Sequence, residues 1–145
     1  MHSQIYVNLP VADLARSVAF FRSLGFDFDA AFTDDKGACL MIGENIYAML
    51  LVREFFQTFT GKAVCDATRS TEVLVCISCD SRAEVDELVA KAVAAGGTAP
   101  RPARDYGFMY AHDFDDLDGH IWELMHMSAD AGETGPTATA AASPA

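Results

Sequence analysis

The stretch "LDGHIWELMHM", residues 117–127, is a tight turn feeding a strand. Asp-Leu-Asp-Gly supplies the turn residues, and the run after it is apolar apart from the histidines and a single carboxylate, Glu123. An Ile-aromatic pair, Ile121-Trp122, opens this strand, and a second such pair, Ile46-Tyr47, opens "IYAMLLV" at 46–52. The two pairs mark a repeat.

"QIYVNLPV" (4–11) reads as a strand. "DLARSVAFFRSLGF" (13–26) then sets Leu14, Val18, Phe21 and Leu24 at helical spacing, between Asp13 as N-cap and Gly25 as stop. The second half repeats this grammar. "TEVLVCISC" (71–79) is a strand, and the following helix has Ser81 as N-cap, Glu84 completing a capping box, an apolar face of Val85, Leu88, Val89 and Val93, and Gly96 or Gly97 as stop. Each helix is followed by three strand-like segments: "DFDAAF", "GACLMI" and "NIYAMLLV" in the first half, "TAPRP", "GFMYAHDF" and "HIWELMHM" in the second. Equivalent positions lie about 70 residues apart, which indicates two paired modules and not a solenoid.

The expected fold class is therefore α+β, with two βαβββ modules. Module one spans 4–52, a linker 53–70 and module two 71–127, together one domain over 1–127. The segment 128–145, rich in Ala, Thr, Gly and Pro, reads as a disordered tail.

Bulk properties narrow the function. With 51% hydrophobic residues, 145 residues can bury a real core, and no apolar run approaches the roughly 20 residues of a membrane span. No basic-then-apolar leader opens the chain, so a cytoplasmic location is expected. Ten basic against 21 acidic residues give a net charge of −11, which repels phosphate backbones and anionic lipid. Nucleic acid and membrane are thus excluded as partners, and a cationic ligand is favoured. "CISC" matches C-x-x-C, but in a strand Cys76 and Cys79 face opposite ways and cannot share a metal. All four cysteines are read as reduced, structural side chains.

Paired βαβββ modules, the opening "VNLPVADLARSVAFFRSLGF" and the closing "DLDGHIWEL" resemble the vicinal oxygen chelate superfamily, which includes glyoxalases, extradiol dioxygenases, fosfomycin-modifying enzymes and bleomycin-resistance proteins. The likeness covers about residues 4–127. It implies that each module curls a mixed sheet into half a barrel with helices outside, that homodimers form, and that the enclosed face holds the site. Enzymes of this superfamily use a divalent metal that grips neighbouring oxygens of a substrate.

Transferred residue by residue, the resemblance puts the ligand positions on Tyr6, on Ala48 (or Met49 after a one-residue slip), on Leu74 and on Glu123. Only Glu123 is of ligand type. Glu72 or His112 could join it in an atypical site, but a full metal-ligand set is not visible. His2 and His120 are expected to be exposed, and His126 to face away from Glu123. Alternation along the strands gives a cavity lined by Tyr6, Asn8, Ala48, Leu50, Glu72, Leu74, Cys76, Glu123 and Met125, mostly apolar with a few polar groups. Glu123 could hydrogen-bond Tyr6 or Asn8, accept from a ligand, or act as a general base. Phe55, Phe56 and Phe59, which could lid the pocket or bury in a dimer interface, suit packing more often than recognition, and Tyr106, Phe108 and Tyr110 share that ambiguity.

Two function classes remain open. One is a small-molecule-binding protein of the bleomycin-resistance type with a degenerate metal site, sequestering its ligand. The other is a glyoxalase-like lyase or isomerase, or a dioxygenase, acting on a small vicinal-oxygen substrate through a divalent metal, with Glu123 as the catalytic group.

Overall fold

The computed structural model describes residues 1–128; the expected tail lies outside them from residue 129 on. Two compact units are present, one formed by Met1–Glu72 with the turn Leu117–Gly119, the other by Val73–Asp116 with residues 120–128.

The first unit runs β1 (Ile5–Val11), α1 (Leu14–Ser23), β2 (Asp27–Asp29), β3 (Gly37–Gly43), β4 (Ile46–Val52) and α2 (Arg53–Gln57). The second runs β5 (Leu74–Ser78), α3 (Arg82–Ala94), β6 (Arg104–Asp105), β7 (Met109–Asp115) and β8 (Ile121–Met127). Each unit holds one four-stranded sheet, ordered β1-β4-β3-β2 and β5-β8-β7-β6. In both, the first strand pairs parallel with the last and the remaining pairs are antiparallel, so the α+β class with two βαβββ modules read from the repeat is observed, with the mixed sheets that the resemblance implies.

Local chemistry sets the helix ends. Asp13 accepts from the Arg16 backbone N–H at the start of α1, and Gly25, at φ +97°, takes the left-handed conformation just past its end. Ser81 accepts from the Glu84 N–H, while the Glu84 carboxylate accepts from Asp80 N–H, one residue upstream of a standard capping box. Phe21 and Leu24 are buried as expected, but Ser17 and Phe20 sit deeper than Leu14 and Val18. On α3, Ala92 completes the buried face and Val93 stands exposed, because the spacing Val85, Val89, Ala92 continues the stripe that Val93 leaves.

Two of the expected strands are altered. "DFDAAF" is extended only over β2, after which Asp29 accepts from the Ala31 N–H and the chain closes into a 3₁₀ turn at Ala30–Phe32. "TAPRP" makes no strand: Thr98 forms an isolated bridge to Asp115, and the prolines on either side of Arg101 cannot donate to a ladder. β6 follows three residues later.

One face of each sheet packs into a core. In the first unit Leu9, Val11, Phe28, Ala38, Leu40, Ala48 and Leu50 form the core with Phe20 and Phe21 of α1. In the second, Phe114, Trp122 and Leu124 do so, with Val85, Val89 and Ala92 on α3.

Candidate functional site

The face that α1 leaves free in the first unit follows from register. Tyr6 pairs with Tyr47 and Asn8 with Met49, and Met41 lies beside Tyr47 on the next strand. The Tyr6 and Tyr47 rings stack, with centroids 4.8 Å apart and planes 12° from parallel. The expected assignment of Ala48 and Leu50 to this face is corrected: both are fully buried on the opposite side, in register with Val7 and Leu9. Tyr47 and Met49 take their place. The free face thus offers a phenol pair, an amide and thioethers.

In the second unit Leu74, Cys76, Glu123 and Met125 share one face. Cys76 is directly beside Glu123, Leu74 beside Ile121, and Ser78 beside Met125. On the other flank Glu123 pairs with Asp113 and Met125 with Ala111. Asp113 is 5% exposed, and its charge is held by Arg101 Nε at 2.9 Å and Arg104 Nη2 at 3.8 Å. Arg101 also pairs with Asp115. Glu123 is half-buried, and its carboxylate has no hydrogen bond or ion pair among the described residues. Surrounding protein and the adjacent Glu123 carboxylate push the Cys76 thiol up to about 11, so it is protonated at neutral pH although part of its surface is exposed. Burial and the Glu84 side chain push Cys79 up to about 12, and all four cysteines are free.

The suggested partners of Glu123 do not join it. His112 pairs with Leu124, hence on the face toward α3, and its Nε2 is 2.9 Å from the Arg101 carbonyl oxygen. Glu72 is exposed and lies before β5, outside the ladder. His126 also faces away from Glu123, with Nδ1 3.0 Å from the Cys79 carbonyl oxygen. His120 was expected at the surface but is 8% exposed: Asp116 accepts from its backbone N–H at 3.0 Å and from Trp122 Nε1 at 2.9 Å, folding the turn inward. Among the described residues no group of three or more His, Cys, Asp or Glu side chains could hold a metal ion. One carboxylate, one protonated thiol and an aspartate already tied to two arginines do not fit a divalent-metal centre in this sheet.

The turn Leu117–Gly119 is structural. Asp118 accepts from the Ala12 N–H at 2.8 Å and from Ser17 Oγ at 3.3 Å, fixing the entry to α1. Gly119 has φ +90°, and a Cβ there would lie 2.8 Å from the Ala67 carbonyl oxygen and Thr68 nitrogen. The Arg101–Asp113–Asp115 cluster went unread in the sequence. Its only local sign is the spacing of two aspartates at 113 and 115, which places both on one strand face.

Residues 4–43 match the family model described as bleomycin resistance protein-like N-terminal. Among solved structures, a hypothetical protein of S. aureus is 29% identical, covering 87% of this chain and 95% of that one with a TM-score of 0.74. A glyoxalase-related enzyme from Fulvimarina pelagi is 23% identical, over 87% of this chain and 88% of that one, with a TM-score of 0.73. The fosfomycin resistance protein FosX from Listeria monocytogenes is 19% identical, over 90% of this chain and 97% of that one, with a TM-score of 0.65. A search of curated proteins gives no match. At these identities the last two speak for the fold alone. The resemblance to the vicinal oxygen chelate superfamily holds, and the chain has the glyoxalase/bleomycin-resistance fold. No helix of the described residues is long and apolar enough to cross a membrane.

Proposed function

We propose that the protein binds a small organic molecule on the free sheet faces and has a degenerate metal site, so that it holds its ligand without metal chemistry. The observation that carries this reading is the donor set around Glu123. A lone carboxylate beside a protonated thiol, with leucine, isoleucine and methionine neighbours, is a recognition surface of mixed character and a poor cage for a hard cation. The stacked Tyr6–Tyr47 pair, with Asn8 and Met49 alongside, suits a planar or apolar ligand portion in the same way. Glu123 is then a contact residue of the second face, lined also by Leu74, Cys76 and Met125, and Tyr6 and Asn8 line the first face. Ile5, Tyr6 and Leu74, each about half exposed, support a homodimer that covers them, and four free cysteines suit a reducing, cytoplasmic compartment.

Cys76 reports on occupancy of this face. A metal-free library of small metabolites and drug-like amines is screened for ligands that slow alkylation of Cys76 at pH 10 without slowing that of exposed Cys65. Selective protection by at least one compound, undiminished by chelator, is expected. Protection that appears only after adding a divalent metal contradicts the reading.

A further inference from the structure

The second sheet carries another polar group on the Glu123 side. Tyr106 lies just beyond β6, and its backbone N–H donates to the Met109 carbonyl oxygen at 2.8 Å, which continues the ladder of Arg104 with Ala111 and Asp105 with Tyr110 by one rung. Tyr106 is therefore two residues from Arg104 and on the same side of the strand. Ala111 and Met109 occupy that side of β7, and Met125 and Met127 that side of β8. The Tyr106 hydroxyl is buried and has no hydrogen-bond partner among the described residues. A buried hydroxyl without a partner is costly, and native structures keep such groups rarely.

Charge on this face is unbalanced. Arg101 and Arg104 are engaged by Asp113 and Asp115, which leaves Glu123 as the surplus anion. Between Glu123 and Tyr106 lie Met125, Met127 and Met109, a flexible thioether floor. Along the strand direction the two polar groups stand four residues apart, about 13 Å, and across it two strands apart, about 10 Å.

Resting on the small-molecule-binding reading above, we infer that this face takes an elongated organic amine, whose ammonium pairs with Glu123, whose apolar body lies on Met125 and Met127, and whose far-end oxygen accepts from the Tyr106 hydroxyl. Tyr106 is then a specificity-determining residue, and a cation on the ligand neutralises the surplus charge of the face.

The test uses methyl 4-(ω-aminoalkyl)benzoates of increasing chain length, with N-acetylated counterparts as neutral controls. Binding to the full chain is followed by calorimetry and by the methionine methyl resonances. An amine of optimal length binds and shifts the Met125 and Met127 methyls, and its N-acetyl control binds at least about tenfold more weakly. Glu123→Gln removes that preference. Tyr106→Phe weakens the ester-bearing amines severalfold, leaves the parent phenylalkylamines unchanged and raises the melting temperature, because it deletes the orphaned hydroxyl. A purely structural Tyr106 would not separate the two ligand series. Equal binding of amine and N-acetyl forms, or affinities untouched by either substitution, overturns the ligand class while leaving small-molecule binding intact. Silence of the methyls and of the calorimeter toward every probe, charged and neutral, overturns both.

Discussion

The two sheets share one topology and one order of strands, yet their free faces carry different chemistry. The first offers stacked phenols, an amide and thioethers, with no carboxylate beside them on β1 or β4. The second sets Glu123 against Cys76 on one side and the arginine-bound Asp113 on the other. A repeated fold therefore fixes where a site can be, while the residues at four or five register positions fix what it can do. Metal chemistry needs several hard donors converging, and neither face alone supplies them.

The largest expected effect separates the two sides of β4. Leu50→Ala opens a cavity among fully buried neighbours and should cost about 2–5 kcal/mol in urea unfolding, whereas Met49→Ala, one residue away on the free face, should cost well under half of that. Equal costs would break the register on which the comparison stands.

Next in size is the turn that serves the first unit. Gly119→Ala forces a Cβ against backbone at a left-handed φ and should lower stability by about 1–3 kcal/mol. Asp118→Ala, which strips the Ala12 N–H and Ser17 Oγ of their acceptor, should lower it by about 1 kcal/mol, read from the same urea titration.

A cysteine pair contrasts the faces chemically. Cys39 is 1% exposed and its thiol is raised by burial and by Asp29, while Cys76 is reachable and raised to about 11. Iodoacetamide should spare Cys39 in the native protein and modify Cys76 at a rate that climbs toward pH 11. Glu123→Gln removes one of the two causes, so that rise should move to lower pH. The folded pKa lies above the ordinary thiol value of 9.0, so Cys76 supports the fold below pH 9 and that support is lost as pH rises from 9 to about 11.

The smallest effect is at the surface of the second unit. Arg82 and Asp105 pair at 2.7 Å in the open, and Asp105→Asn should leave the melting temperature at neutral pH almost unmoved. Because the pair and the Gly107 N–H hold the Asp105 carboxyl at about 2, any contribution is present above the ordinary value of 3.8 and lost as pH falls toward 2.

The difference between the sheets also explains what the sequence disclosed. Helix starts at Asp13 and Ser81 and the βαβββ repeat are legible because caps, glycine stops and turn dipeptides act locally, whereas the mixed pairing of the sheets comes only with the family resemblance. The parity of β8 was legible because Glu123 marks one side among Trp122 and Leu124 on the other. β4 has no such mark: "IYAMLLV" is apolar on both sides, so its sequence does not tell which face Ala48 and Leu50 take, and the fold buries both in the core. His120 was placed outside because a residue after a turn is usually wet, and only the long-range bonding of Asp116 with Trp122 pulls it in. Arg101 with Asp113 and Asp115 escaped notice for the same reason: nothing in residues 98–104 states which strand they will lie along.

The claim that one carboxylate without partners makes a binding face and not a metal centre is tested most directly by metal content. Untagged protein is dialysed in turn against nickel, zinc, manganese and iron(II), and bound metal per subunit is measured beside Glu123→Ala. Metal no higher in the native protein than in the variant is predicted; near-stoichiometric metal that disappears in the variant would contradict the account and restore the metal-dependent enzyme as the leading reading.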